Sequence, residues 1–123
     1  MKNLAITVKN GGKSFIPGQT VKGQVQWDLA NPPRKACLRL IWFTVGKGTE
    51  DAGLVESREF DEPYASDSRN FEFKIPAGPY SFSGLLISLA WALELELDKE
   101  CLQYDIVVSP TGKEISLYSG ANS

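Results

Sequence analysis

A strict alternation of large apolar residues over residues 85–97 constrains the fold of this chain more than any other feature. The segment reads LLISLAWALELEL, and its large apolar residues at every second position are Leu85, Ile87, Leu89, Trp91, Leu93, Leu95 and Leu97. Leu, Ala and Glu favour helices, but a helix would spread these residues around its whole circumference. In a strand they share one face, because strand side chains point alternately to opposite sides. The segment therefore predicts one long strand with an apolar face and a polar face.

Shorter segments with the same alternation lie between turn signals such as Asn10-Gly11-Gly12 and Asn31-Pro32-Pro33. Strands are predicted over 4–9, 14–16, 20–29, 35–45, 54–60, 71–76, 85–97 and 101–108. We expect loops over 61–69 and 76–83, and no helix. Each strand would have one apolar face, and two such sheets must pack apolar face to apolar face. The sequence therefore predicts an all-β, immunoglobulin-like antiparallel sandwich of seven or eight strands in two sheets.

The length of 123 residues predicts a single domain. We assign residues 1–110 to the sandwich and residues 111–123 to a polar C-terminal tail that can fold back as an edge strand. The net charge is −2 and no basic stripe is visible, which argues against a nucleic-acid partner. No apolar run is long enough for a transmembrane segment, and no signal peptide follows Met1. We therefore expect a cytoplasmic protein.

Two cysteines, Cys37 and Cys101, lie far apart in the sequence. Without a secretory signal we interpret them as unpaired thiols in a reducing compartment. The alternative is a sheet-to-sheet disulfide of the immunoglobulin kind, which would suit an extracellular immunoglobulin-like module. Both cysteines are out of phase with the apolar residues around them, which argues against that alternative.

Catalytic and metal-binding patterns are weak in this sequence. The chain has no histidine, which excludes Ser-His-Asp and Cys-His catalysis and removes the commonest metal ligand. Residues 46–49 (GKGT) lack the full spacing of a phosphate-binding loop. Glu94, Glu96, Asp98 and Glu100 would form a row on one side of a strand, and a straight row diverges instead of converging on a cation. We predict no enzymatic activity, no cofactor and no metal site.

Two longer stretches carry a family resemblance. Residues 14–29 (SFIPGQTVKGQVQWDL) contain an aromatic residue, Pro-Gly, and a strand with a glycine two residues before a valine. Residues 71–97 (FEFKIPAGPYSFSGLLISLAWALELEL) contain a Phe-rich strand ending in Ile-Pro, a Pro-Tyr-Ser-Phe loop and a long strand with a tryptophan. Their order and spacing resemble the amino-terminal domain of arrestins and of bacterial sporulation-control proteins, over residues 4–108.

The resemblance implies an arrestin-like sandwich that acts as a non-catalytic protein-binding or adaptor module. Arrestins carry two sandwiches in tandem, whereas this chain has the length for one. Independently of the resemblance, Gly23 inside a predicted strand indicates a bulge or a close approach of another backbone segment.

An anomaly on the predicted strand over 35–45 points to a binding surface. Leu38, Leu40 and Trp42 account for its core face, so that Ile41, Phe43 and Val45 point to the opposite face. Leu86 is a similar misfit on the long strand. Contiguous exposed apolar residues usually mark interfaces.

Three occupants of this surface remain open: the chain's own tail, where Ile115 and Leu117 alternate, another protein, or a second copy of the chain. The candidate partner-binding residues are Ile41, Phe43, Val45 and Leu86, with Tyr80 and Phe82 in the loop before the long strand. The alternative to a protein-binding module is a structural sandwich that self-associates.

Overall fold

Strands dominate the computed structural model, which describes residues 3–46, 51–83, 87–111 and 115–116. They are β1 (Asn3–Val8), β2 (Ser14–Phe15), β3 (Thr20–Asp28), β4 (Ala36–Gly46), β5 (Ala52–Glu59), β6 (Ser66–Lys74), β7 (Phe82–Ser83), β8 (Ile87–Leu97), β9 (Glu100–Val108) and β10 (Ile115–Ser116). A 3-10 turn, Lys9–Gly11, follows β1. The all-β prediction is confirmed, and three of the ten strands are only two residues long.

The strands form two sheets. The three-stranded sheet has the order β1-β3-β6. In the seven-stranded sheet, β5 is an edge strand, β4 lies next to it, and β8 lies next to β4. On the side of β8 that faces away from β4, β9 pairs with residues 91–97 and β7 pairs with residue 89. β2 pairs with β9, and β10 pairs with β7. Both pairs are parallel, and the predicted antiparallel arrangement did not include them. The two-sheet sandwich itself is confirmed.

The long alternating segment forms β8 at the centre of the seven-stranded sheet. Leu93 and Leu95 are fully buried, and Leu89, Trp91 and Leu97 are at most 7% exposed. They share the core with residues of the opposite sheet, such as Val21, Val25 and Phe73. Each buried side chain of this size contributes about 1.5–3 kcal/mol of transfer free energy. The predicted strand is therefore confirmed over its described residues, Ile87–Leu97.

Gly23 lies where β3 passes between two close neighbours. A Cβ atom at this position would overlap the backbone carbonyl oxygen of Thr7 and lie 2.9 Å from the ring of Phe71. Phe71 is the cross-strand partner of Gly23 on β6, so its ring covers the space that a side chain would fill. The predicted close backbone approach is confirmed, and it explains the glycine.

β6 begins at Ser66, five residues before the predicted strand. Residues 66–70 are all polar, so no apolar alternation reveals them. They nevertheless pair with β3, with Arg69 opposite Val25 and Asp67 opposite Trp27. The expected loop over 61–69 is therefore wrong in its second half.

A polar network holds the remaining loop against β6. One guanidinium nitrogen of Arg69 donates to the carbonyl oxygens of Asp61 (2.8 Å) and Glu62 (3.2 Å), and to the carboxylate of Asp67 (3.0 Å). The same carboxylate accepts the backbone N–H of Tyr64, and the Tyr64 carbonyl accepts the indole N–H of Trp27. The hydrogen bond from Arg69 holds the pKa of Asp67 below its usual value.

The predicted loop over 76–83 is tied to the end of β9. Ser81 is buried, its N–H donates to the carbonyl of Val108 (2.7 Å), and its hydroxyl accepts the Val108 N–H (3.0 Å). β7 (Phe82–Ser83) then pairs in parallel with β10, which places Ile115–Ser116 at an edge of the seven-stranded sheet. The division into a domain over 1–110 and a tail over 111–123 stays a prediction.

Candidate protein-interaction face

The outer face of the seven-stranded sheet, turned away from the three-stranded sheet, combines an apolar half and a charged half. Directly opposite residues of antiparallel strands share a face, and β4 and β8 are in continuous register from Ala36↔Leu97 to Gly46↔Ile87. On the outer face, Cys37 and Arg39 of β4 lie opposite Glu96 and Glu94. Further along β4 the outer residues are Ile41, Phe43 and Val45, opposite Ala92, Ala90 and Ser88.

The structure therefore brings together three of the predicted site residues. Ile41 and Phe43 are half-buried, and Val45 is 53% exposed. The residues across from Ile41 and Phe43 on β8 are alanines, and Ala92 is fully buried. Small residues at these positions leave room for larger neighbours to lie along the sheet, which accounts for the partial burial of Ile41 and Phe43.

Leu54 of β5 joins the same surface, although sequence reasoning missed it. It lies opposite Ile41 and is 61% exposed. The pairing of β4 with β5 shifts register between Leu40 and Ile41, which leaves Val55 as an extra residue on β5. Only this bulge decides which face Leu54 occupies, and single-strand periodicity does not reveal it. We call Ile41, Phe43, Val45 and Leu54 the apolar patch.

Open concavities flank Phe43 at the centre of the apolar patch. On one side Phe43 lines a depression with Val45 and Asp51, and on the other it lines a depression with Asp105 and Lys13. The apolar patch thus has charged residues of both signs around it. An apolar centre with a polar rim is the usual composition of a protein–protein interface.

The charged half of the outer face is internally paired. Arg39 donates to Glu94 at 3.0 Å and to Glu96 at 2.6 Å. The hydrogen bond from Arg39 lowers the pKa of Glu96, and the same bond raises the pKa of Arg39. These three side chains are 23–35% exposed, so the ion pairs are partly shielded from solvent.

The predicted acidic row ends before Asp98, which lies in the turn between β8 and β9. Asp98 has φ +53°, and its carboxylate accepts the backbone N–H groups of Arg34 and Lys35 at 2.9–3.0 Å. Glu94 and Glu96 are engaged by Arg39 instead of facing a cation. Among the described residues, no cluster of His, Cys, Asp or Glu has the arrangement of a metal site.

The two cysteines flank Glu96 on the outer face. Cys37 of β4 and Cys101 of β9 each pair with Glu96, so they are separated by two strand spacings, roughly 10 Å. A disulfide requires Cα atoms within about 7 Å, and both thiols are free. Burial raises the pKa of both thiols, although Cys101 is exposed at the surface and Cys37 is not. The alternative of a sheet-to-sheet disulfide is therefore wrong.

The other predicted site residues do not join the apolar patch. Phe82 lies opposite Leu89, on the core side of the sheet, and packs against the core. Tyr80 is 40% exposed in the loop over 76–83. Leu86 lies outside the described residues.

Two sheets packed around a long central strand give the chain an arrestin-like β-sandwich fold. The fold is similar to the crystal structure of Spo0M, a sporulation control protein from Bacillus subtilis, with a TM-score of 0.61 and 17% sequence identity. The similarity covers 88% of this chain and 49% of that chain, so this chain spans about half the length of the sporulation control protein. The predicted resemblance is thus confirmed at the level of the fold.

Another similar structure is β-glucosidase from Listeria innocua in complex with gluconolactone. The match has a TM-score of 0.49 and 10% identity, and it covers 94% of this chain and 16% of that chain. No protein-family model matches the sequence, and no curated protein matches it. None of the described residues forms a helix that could cross a membrane.

Proposed function

We propose that this chain is a non-catalytic protein-binding module of the arrestin-like type. The observation that carries the proposal is the apolar patch, which shares its face with the ion pairs of Arg39 with Glu94 and Glu96. Val45 and Leu54 are more than half exposed, and they flank Ile41 and Phe43. The partner we propose is another protein that presents apolar side chains to Phe43 and opposite charges to the rim.

The form of the surface supports a macromolecular partner over a small ligand. The depressions beside Phe43 are open to solvent, whereas small-molecule sites enclose most of the ligand. The nearest charged cluster, Arg39 with Glu94 and Glu96, is already satisfied internally. The absence of histidine from the sequence further supports a binding role over acid–base catalysis. We propose a cytoplasmic location, which the two free thiols support.

Substitution at the centre of the apolar patch tests the proposal. Phe43→Asp places a charge in the patch, and Gln26→Asp places the same charge on the exposed face of the three-stranded sheet as a matched control. Wild type and both variants, each shown by circular dichroism to be folded, serve as bait in a cell extract. A captured protein is then purified, and hydrogen exchange locates its footprint on the chain.

The expected result is a partner that binds wild type and Gln26→Asp but does not bind Phe43→Asp. This partner should also slow hydrogen exchange of the backbone amides over residues 41–45. A partner that Phe43→Asp binds as well as wild type, or a footprint elsewhere on the chain, would contradict the proposal.

A further inference from the structure

β5 forms an open edge of the seven-stranded sheet. It pairs with β4 on one side, and no other described strand pairs with it. Its last four residues, Glu56, Ser57, Arg58 and Glu59, are all exposed. Within the described part of the chain, neither Glu56 nor Arg58 takes part in an ion pair. An open edge with free backbone groups is a template for a further strand.

The backbone hydrogen bonds fix which residues face this edge. The N–H of Phe60 donates to the carbonyl of Ala36 at 2.9 Å, so the backbone groups of Phe60 are directed at the chain of β4. Alternate residues of a strand direct their backbone groups to opposite sides. Arg58 is therefore directed to β4 as well, and Ser57 and Glu59 present their N–H and C=O groups to the open edge.

We propose that two copies of the chain associate by antiparallel pairing of their β5 edges, with the two-fold axis at Ser57. In this register the edge-directed backbone groups of Ser57 meet those of Ser57 in the second copy. Glu56 of each copy then lies directly opposite Arg58 of the other, and two cross-strand pairs of opposite charge form. The contact is isologous, since each copy uses the same surface.

In the neighbouring two-fold registers, the backbone groups that face the edge in one copy also meet those of the other copy. Like charges disfavour these registers. A centre at Glu56 places the two Glu56 carboxylates opposite each other, and a centre at Arg58 does the same with two guanidinium groups. Like charges directly opposite each other destabilise a strand pair. A centre at Val55 falls on the bulge, where the edge is irregular. The register centred on Ser57 alone combines regular backbone with complementary charge.

The β6 edge of the three-stranded sheet offers a contrast. On β6, Glu72 is already engaged by Lys22 of the same sheet at 3.5 Å. The β6 edge therefore serves as the control surface in the experiments below. The β5 contact goes beyond the proposed function, because it uses a strand edge and leaves the apolar patch exposed. Since one short strand pair buries little area, we expect a weak, concentration-dependent dimer.

A charge swap tests the register. Glu56→Arg alone creates two Arg–Arg pairs, Arg58→Glu alone creates two Glu–Glu pairs, and the double variant restores two opposite-charge pairs. Sedimentation equilibrium at low salt should show a dissociation constant raised about tenfold or more in each single variant. The double variant should return to within about threefold of wild type, and Phe43→Asp should leave the constant unchanged.

Crosslinking tests the position of the axis. In a background of Cys101→Ser, we expect Ser57→Cys to form a disulfide-linked dimer under mild oxidation, since directly opposed residues lie within disulfide range. Ser68→Cys, exposed on β6, is the matched control and should crosslink far more slowly. A wild-type protein that stays monomeric at every concentration would overturn the proposal. So would a double charge variant that fails to recover, or equal crosslinking from the two cysteine positions.

Discussion

The indole nitrogen of Trp91 donates a hydrogen bond to the carbonyl oxygen of Pro79 across 2.9 Å. Trp91 is fully buried in the middle of β8, and Pro79 belongs to the loop that precedes β7. The bond therefore fixes this loop to the central strand of the sandwich. Together with the two bonds between Ser81 and Val108, it explains why residues 76–81 hold a defined path without regular strand pairing.

Replacing Trp91 by Phe should cost about 2–3 kcal/mol of the free energy of unfolding. The substitution leaves the Pro79 carbonyl without its donor, and the smaller ring leaves a void in the core. Trp42→Phe is the control, because Trp42 is only half-buried and its indole makes no hydrogen bond within the described residues. Urea unfolding followed by circular dichroism measures both. A loss at Trp91 no larger than that at Trp42 would contradict the role given to this bond.

The alternation of apolar residues predicted the strands well wherever one face meets the core. β8 was predicted because Leu93 and Leu95 alternate with glutamates and both point inward. The start of β6 was missed because Asp67 and Arg69 occupy the corresponding positions and bind the neighbouring loop instead of apolar side chains. Periodicity detects burial of apolar groups and does not detect a strand whose partners are polar.

The candidate site was predictable only in part, for a similar reason. Ile41 and Phe43 could be assigned to the outer face from the phase of their own strand. Leu54 could not, since its face depends on the bulge between β4 and β5. The charges of Glu56 and Arg58 indicate a contact only after the strand order shows that the β5 edge is open. Tertiary contacts decide which strands pair and in which register, so the sequence of a single segment does not predict the pairing.

Gly23→Ala should destabilise the protein by about 3 kcal/mol or more. The added methyl group would overlap the backbone carbonyl of Thr7, and backbone inside a sheet cannot move aside cheaply. Gly12→Ala is the matched control: a Cβ there would meet its nearest neighbours at 3.4–3.7 Å, an ordinary contact distance. Thermal and urea unfolding of the two variants measures the difference. Equal stability of Gly23→Ala and wild type would show that β1 and β3 do not approach as closely as described.

The Asp67–Arg69 pair should make stability depend on pH on the acid side. The pKa of Asp67 is lower in the folded protein than in the unfolded chain, where it is about 3.9. The pair therefore contributes its full stability above that value and loses it as the pH falls through the folded pKa. We expect Asp67→Asn to be less stable than wild type at pH 7, with a difference that shrinks towards pH 2.

The control for this measurement is Glu72→Gln, which removes an exposed carboxylate that pairs with Lys22 at 3.5 Å. Exposed pairs of this kind contribute little to stability. Urea unfolding of the three proteins at several pH values gives the comparison. A difference between wild type and Asp67→Asn that stays constant from pH 7 to pH 2 would show that ionisation of Asp67 is not the cause.

Truncation after Pro110 should leave the sandwich folded and cost about 1–3 kcal/mol. The last described member of the core is Val108, and the described strand pairing that is removed is the two-residue pairing of β10 with β7. Backbone bonds of this kind contribute about 0.5–1.5 kcal/mol each. If residues 111–123 instead cover the apolar patch, their removal would expose Phe43 and cause a larger loss together with aggregation. Urea unfolding and light scattering of the truncated and full-length chains distinguish these outcomes, since only the first leaves the patch available to a partner.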